Sequence, residues 1–235
     1  MSSLSDTRKT ILEIFNEVRR KTGINTITSF DQDANSRVMM QYFNDVIDEV
    51  SDFGDWQEML SVVLVTAQAS VSAYVVSAVP PVKSIREVAF TGQIAPLRLR
   101  TIEDLRRWSR TGGQGVPSNY TIMGVDNTTT GNPIINVYPV PATAQAGTTF
   151  NILYYQKPVL YNTSTTTNTV PSWPSRMLSA GLLAKMYEDE TAREQDYAIA
   201  RAEFEQMRLE CFNRYNGDTG KDTQFVPSRM RQRSG

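Results

Sequence analysis

The feature that most constrains this chain is where its hydrophobic period changes. At both ends apolar residues recur every three or four positions, the spacing of one helix face, whereas from residue 58 to 157 they gather in short β-branched runs broken by Gly, Pro and Asn. A parallel α/β sheet would need helices between successive strands, and this order does not supply them. The pattern predicts an α+β fold: an antiparallel helical bundle built from the two ends (1–57 and 158–216), an inserted β-sandwich or open-barrel domain (58–157), and an extended C-terminal arm (217–235).

The helical signals are specific. Ile11, Leu12, Phe15 and Val18 predict a helix over 6–21, closed by Gly23; Met39, Tyr42, Phe43, Val46, Ile47, Val50 and Phe53 predict a second over 33–53, stopped by Gly54. The two should pack together. Near the other end, Ser172 is placed to cap and Pro174 to open a helix whose buried stripe is Met177, Leu178, Leu182, Leu183, Met186 and Tyr187. A last helix over 191–215 has the seam Tyr197, Ala200, Phe204, Met207 and Cys211, which places Cys211 in the core.

Between them the spacing predicts about seven strands, paired antiparallel. Runs 60–66 and 70–77 read as a hairpin, 82–90 and 93–99 as strands joined by Thr91-Gly92, and 119–125, 133–138 and 148–155 as three more. One short helix interrupts them over 101–110, with Thr101 and Asp104 at capping distance and Leu105 and Trp108 on one face. The tract 162–169, rich in Thr, Ser and Asn, reads as a surface loop.

Composition removes several chemistries. There is no histidine, so the usual general base, metal ligand and triad partner are missing, and the single cysteine allows neither an internal disulfide nor a Cys-based zinc site. Lys+Arg number 24 against 25 Asp+Glu, which leaves no global basic field for nucleic acid or an anionic membrane. Residues 1–10 lack the pattern of a secretory leader, and no apolar run approaches the roughly 18 residues of a membrane span. The N-x-[ST] matches at Asn119, Asn127 and Asn162 would matter only in a secreted protein.

Four stretches are candidate sites. The G-x-G at Gly113 follows a helix and precedes a strand, the reverse of a phosphate-cradling loop. Glu188, Asp189, Glu190, Glu194 and Asp196 could serve a glycosidase if two of them faced each other across a cleft, but they also suit a solvated helix N-terminus. Arg98, Arg100, Arg106, Arg107 and Arg110 surround Trp108, with Glu103 and Asp104 blunting the field; a packed helix or a subunit contact through Arg106, Arg107, Trp108 and Arg110 is favoured over DNA binding. The fourth is the tail. Its Phe225, Val226 and Met230 are worth ~1.5 to 3 kcal/mol each when buried, too little to order nineteen residues at about 1 kcal/mol or more apiece. Composition alone reads as a disordered end; its spaced anchors and basic end are also what a peptide arm needs to borrow order from a partner.

Four segments, in this order, resemble the head-to-tail adaptor family of short-tailed bacteriophages, also called head-completion or tail tubular A proteins. They are 44–56 (NDVIDEVSDFGDW), 115–124 (GVPSNYTIMG), 134–141 (IINVYPVP) with the Tyr-rich strand at 153–155, and 170–187 (VPSWPSRMLSAGLLAKMY). The resemblance implies a non-enzymatic virion protein without cofactor or metal, made in the host cytoplasm. It further implies a homo-oligomeric ring, usually of twelve copies, docked beneath the portal, joined below to a tail tube or nozzle protein, and threaded by genomic DNA without sequence-specific contact or any membrane. The C-terminal arm then climbs the portal, which assigns portal contact to Phe225, Val226, Arg229, Met230, Arg231 and Arg233. A carboxylate-based cell-wall glycosidase, or a baseplate or carbohydrate-binding β module, is the alternative.

Overall fold

A computed structural model describes residues 8–109, 112–127, 131–188 and 193–216. The fold is α+β, with helices at both ends and several small sheets between them.

Helix α1 (Ile11–Thr22) starts later than its apolar spacing suggested, because Thr10 forms a capping box with Glu13. The Thr10 hydroxyl accepts the Glu13 N–H (3.2 Å), and the Glu13 carboxylate accepts the Thr10 N–H (2.7 Å). Gly23 closes the helix in the left-handed region, at φ 77°. Helix α2 (Ala34–Phe53) is capped by Asp33, whose carboxylate accepts the Ser36 N–H at 2.7 Å. The two helices meet as predicted, through Phe15 edge-on to Phe43 (5.5 Å between centroids). They also meet through Arg19, a residue that periodicity assigned to no partner. Its guanidinium is 1% exposed and donates to Asp33 (2.6 Å), Ser36 (3.3 Å) and the Asn25 carbonyl (2.5 Å).

The strands follow a 3-10 turn at Gln57–Met59: β1 (Leu60–Thr66), β2 (Ala73–Val75), β3 (Val82–Phe90) and β4 (Arg98–Leu99) precede the short helix α3 (Ile102–Ser109). After it come β5 (Gln114–Gly115), β6 (Asn119–Val125), β7 (Pro133–Tyr138), β8 (Val140–Pro141) and β9 (Thr149–Gln156). One sheet has the order β1-β9-β3 and a second β2-β7-β6-β4, while β5 and β8 form a separate pair. Tyr74, Phe90, Ile135, Val137, Phe150 and Ile152 fill the space between the sheets.

The expected hairpin of 60–66 with 70–77 does not form. All seven residues of β1 pair instead with β9, from Leu60↔Tyr155 to Thr66↔Thr149, and β2 pairs with β7. The cause is core packing. Tyr74 and Phe150 meet ring to ring from opposite layers at 5.0 Å, which requires β1 and β2 to lie in different sheets. The corner between them is pinned by the Tyr74 hydroxyl, which accepts the Gln68 N–H (3.1 Å) and donates to the Val71 carbonyl (2.8 Å). Two further corrections follow. The run 93–99, interrupted by Pro96, contributes only two strand residues, and the short pairs β4–β6 and β5–β8 are parallel, although every longer pair is antiparallel.

The chain returns through helix α4 (Ser175–Glu188) and helix α5 (Glu194–Asn216). Ser172 is exposed and does not cap α4; Pro174 takes the boundary position, its carbonyl accepting the Leu178 N–H at 3.2 Å. α4 is the axis of the bundle, touching α1, α2 and α5, so it is buried nearly all round instead of along one stripe. Gly181 shows how tight this is. A Cβ there would lie 2.6 Å from Val46 of α2 and 2.8 Å from Phe204 of α5.

Helical and β parts are stapled where α2 ends. Trp56 is buried, donates its indole N–H to the Val50 carbonyl (2.7 Å), and packs edge-on against Trp173 and Phe212. Gly54 is extended at φ 179°, so its value lies in close approach: a Cβ would sit 2.5 Å from the Phe212 ring. Lys83 of β3 reaches back to the carbonyls of Ser51 and Gly54, placing a cation at the C-terminal end of α2.

Candidate functional site

Two surfaces among the described residues hold the candidate residues and the charged grooves. The first is a groove of about 440 Å³ between α1, α4 and α5, where α1 and α5 both pack on α4. Ala180, Leu183, Met207 and Cys211 form its floor, and Lys9, Lys21, Arg176 and Arg214 stand on its rim with Glu17, Glu203 and Glu210. The rim charges are partly spent on one another, as in Lys9–Glu17 (2.5 Å), Lys21–Glu17 (3.3 Å) and Arg176–Glu203 (3.8 Å). At its base Ser179, 2% exposed, has a hydroxyl with no hydrogen-bond partner among the described residues. Cys211, expected in the core, is half-buried and packs against the core from this groove.

The second surface is the arginine cluster of the β part. Trp108 lies on Tyr138 (5.7 Å, 30° between planes) with the Arg100 guanidinium over its ring at 5.6 Å. Arg100 is held in turn by Asn119, whose side-chain oxygen accepts from it at 3.2 Å. Gln93, Pro96, Arg98 and Ser118 complete a shallow concavity of about 470 Å³. Arg106 and Arg107 are exposed on α3, which begins with Thr101 accepting the Asp104 N–H (3.2 Å). Arg110 lies outside the described residues, as do Phe225, Val226, Arg229, Met230, Arg231 and Arg233.

The remaining motifs resolve simply. Gly113 is needed because a Cβ would stand 2.6 Å from the Tyr138 hydroxyl, and Gln114–Gly115 pairs with Val140–Pro141, so this stretch is a packing element. Glu188 pairs with Lys185 (2.7 Å), and Glu194 and Asp196 are exposed in the first turn of α5, which is the solvated-face arrangement; Asp189 and Glu190 lie outside the described residues.

What sequence reasoning missed is the network that fixes α5. Glu49 of α2 receives both Arg201 (2.5 Å) and Arg208 (2.9 Å), Glu205 bonds the same two arginines, and Arg208 also lies over Phe53 at 4.4 Å. Burial works to raise the Glu49 pKa, and the Arg201 hydrogen bonds with the charges of Arg201, Arg208 and Lys185 outweigh it and hold it below the ordinary range. The i, i+4 spacing of Arg201 and Glu205 was visible, but Glu49, 152 positions away, was not.

The family model described as SU10 adaptor protein matches residues 9–233. The chain belongs to the SU10 adaptor protein family. The match runs from the residue before the α1 cap, through both sheets, to within two residues of the C-terminus, so the family covers helical and β parts alike. As an SU10 adaptor the chain is a structural phage protein, a component of the virion, and its partners are other proteins of the phage head and tail. A search of the curated proteins found no match. Among the described residues, no helix of the SU10 adaptor is long and apolar enough to cross a membrane, and no cluster of three or more Asp, Glu and Cys side chains could hold a metal ion.

Proposed function

We propose that this chain is a ring-forming head-to-tail adaptor that docks beneath the portal, completes the head and joins the tail tube or nozzle around the DNA channel. The observation that carries the reading is a single adaptor family match running over bundle, β part and tail together. The tail docks on the portal through Phe225, Val226 and Met230, with Arg229, Arg231 and Arg233 meeting acidic surface. Each arm binds weakly. In a closed ring, of twelve copies by the family resemblance, the later dockings become effectively intramolecular and the joint holds by avidity. Arg106, Arg107, Trp108 and Arg110 contribute to contacts between neighbouring subunits, α3 offering exposed cations beside a ring already held by Tyr138 and Arg100. Helical and β parts act as the domains 1–57 with 158–216, and 58–157. The protein is made in the host cytoplasm, and DNA passes through the lumen without sequence-specific contact, in keeping with a net charge of -1.

Mixing the purified protein with its purified portal and imaging the product tests this. A ring seated on the portal is expected. A chain that stays monomeric with portal present, or that binds portal equally well after Phe225→Asp, would refute it.

A further inference from the structure

The free edges of the β part are not alike. β3 carries Lys83, Arg86 and Glu87 and two register shifts, and β4 is two residues long and begins with Arg98. Charges, bulges and shortness are the devices that stop a sheet edge from recruiting a stray strand. β1 has none of them. Its sequence LSVVLVT holds no charge and no proline, pairs without a register shift over seven residues, and among the described residues pairs on one side only. Val62 and Leu64 on it are 57% and 64% exposed. Left open, such an edge is an aggregation site.

Beside this edge runs a trough of about 440 Å³ whose far wall is β2, which among the described residues pairs with β7 alone. Leu64, Thr66, Gln68, Val71, Tyr74 and Val75 line it, and no lining residue is charged. Two backbone edges facing across an uncharged trough match an extended, uncharged peptide, which strand addition would pair through its main chain.

The chain holds such a segment, and it starts nearby. α5 ends at Asn216, one turn beyond Phe212, whose ring packs on Trp56 at 5.3 Å; Trp56 opens the 3-10 turn that leads into Leu60 of β1. After Asn216 charges fall at Asp218, Lys221 and Asp222, then again at Arg229, Arg231 and Arg233. The stretch between, 223–228, is uncharged and contains Phe225 and Val226, followed by Pro227, which lacks an N–H and is compatible only with an outer, edge position. Residues 217–222 can span up to about 20 Å, and 223–228 extended covers about 20 Å, close to the roughly 24 Å of seven strand residues.

We propose that in the free subunit residues 223–228 lie along the open edge of β1, entering at its Leu60 end and so running parallel to it, with Phe225 over the trough between Leu64 and Tyr74 and Val226, its neighbour along the strand, on the opposite face. The inference rests on the portal-docking reading for its purpose: the same anchors leave β1 when the portal offers a better site, so the arm is held, and the edge covered, until assembly.

Amide hydrogen exchange on the full-length free protein tests it, with two full-length variants. In Phe225→Asp/Val226→Asp and, separately, in Leu64→Lys, amides of 60–66 are expected to exchange about tenfold faster or more, with α2 unchanged. Unaltered exchange at 60–66 in both variants overturns the proposal. So does protection that grows with protein concentration, which would assign the edge to a second copy, or a change confined to α1 and α4, which would place the arm in the helical groove. Portal binding separates the two ideas, because Leu64→Lys releases the arm with its anchors intact. If that variant shows fast exchange and still binds portal, both stand. If Phe225→Asp/Val226→Asp shows fast exchange but binds portal normally, the portal reading alone falls.

Discussion

Arg19 and Asp33 form an asymmetric ion pair, and the asymmetry predicts which partner is costlier to remove. The Arg19 side chain is 1% exposed and the Asp33 side chain 36%. Replacing Asp33 with Ala removes the α2 cap, about 1 kcal/mol, and leaves a buried guanidinium without its counter-charge, for which ~3 to 5 kcal/mol is typical. Arg19 keeps the Asn25 carbonyl and Ser36 hydroxyl, and the lost carboxylate was partly in water, so the lower end applies. The expected total for Asp33→Ala is therefore about 4 kcal/mol. Arg19→Met removes the buried charge itself, and Asp33 can hydrate while still accepting from Ser36, so about 1 to 2 kcal/mol is expected. With Arg19→Met in place, Asp33→Ala should cost only the lost cap, about 1 kcal/mol. Urea unfolding of the four proteins at constant m-value measures this cycle. The reasoning fails if Asp33→Ala costs no more than a lost cap, or less than Arg19→Met. The pH dependence supplies a second check. The Arg19 guanidinium first, and Ser36 after it, hold the Asp33 carboxyl well below the usual carboxylate range. Its folded pKa therefore lies below the unfolded value of about 3.9, so the stabilisation is complete above that value and is lost as pH falls through the folded pKa. The gap between wild type and Asp33→Ala should stay level down to about pH 4 and close below it.

Three further outcomes are expected. Gly181→Val should destabilise by about 2 kcal/mol or more in thermal unfolding despite removing a helix glycine, because its branches would enter the space of Val46 and Phe204; a stabilised variant would show that α4 is loosely packed. Glu58 has both carboxylate oxygens buried without a partner among the described residues, and burial raises its pKa. Stability then falls as pH rises from the unfolded toward the folded value, so Glu58→Gln should gain roughly 1 kcal/mol at pH 7 and little at pH 4, as unfolding curves at the two pH values would reveal. Arg106→Glu/Arg107→Glu should weaken ring assembly in native mass spectrometry at least tenfold while leaving the unfolding temperature within about 2 °C; normal rings would remove α3 from the interface.

The helices were legible because their signals are local. Asp33, Gly23 and the apolar spacing of α2 act within a turn or two of themselves, and the capping of α3 by Thr101 needs only three residues. The order of segments also carried the family, since 44–56, 115–124, 134–141 and 170–187 keep their sequence whatever the chain does in space. Strand existence was legible too. Strand partnership was not, because any β-branched run can pair with any other, and what separated β1 from β2 was the meeting of Tyr74 and Phe150, 76 positions apart.

The sequence by itself therefore determined the α+β class, the insertion of strands between helix pairs and the absence of histidine chemistry. Only the tertiary structure decided that α4 is the axis of the bundle, that Glu49 anchors α5 through two arginines, and that one sheet edge stands unguarded beside the place where the tail departs. The reason is the same in each case: periodicity and capping act along the chain, whereas burial, ion pairing and edge exposure depend on which distant segments come to share a surface.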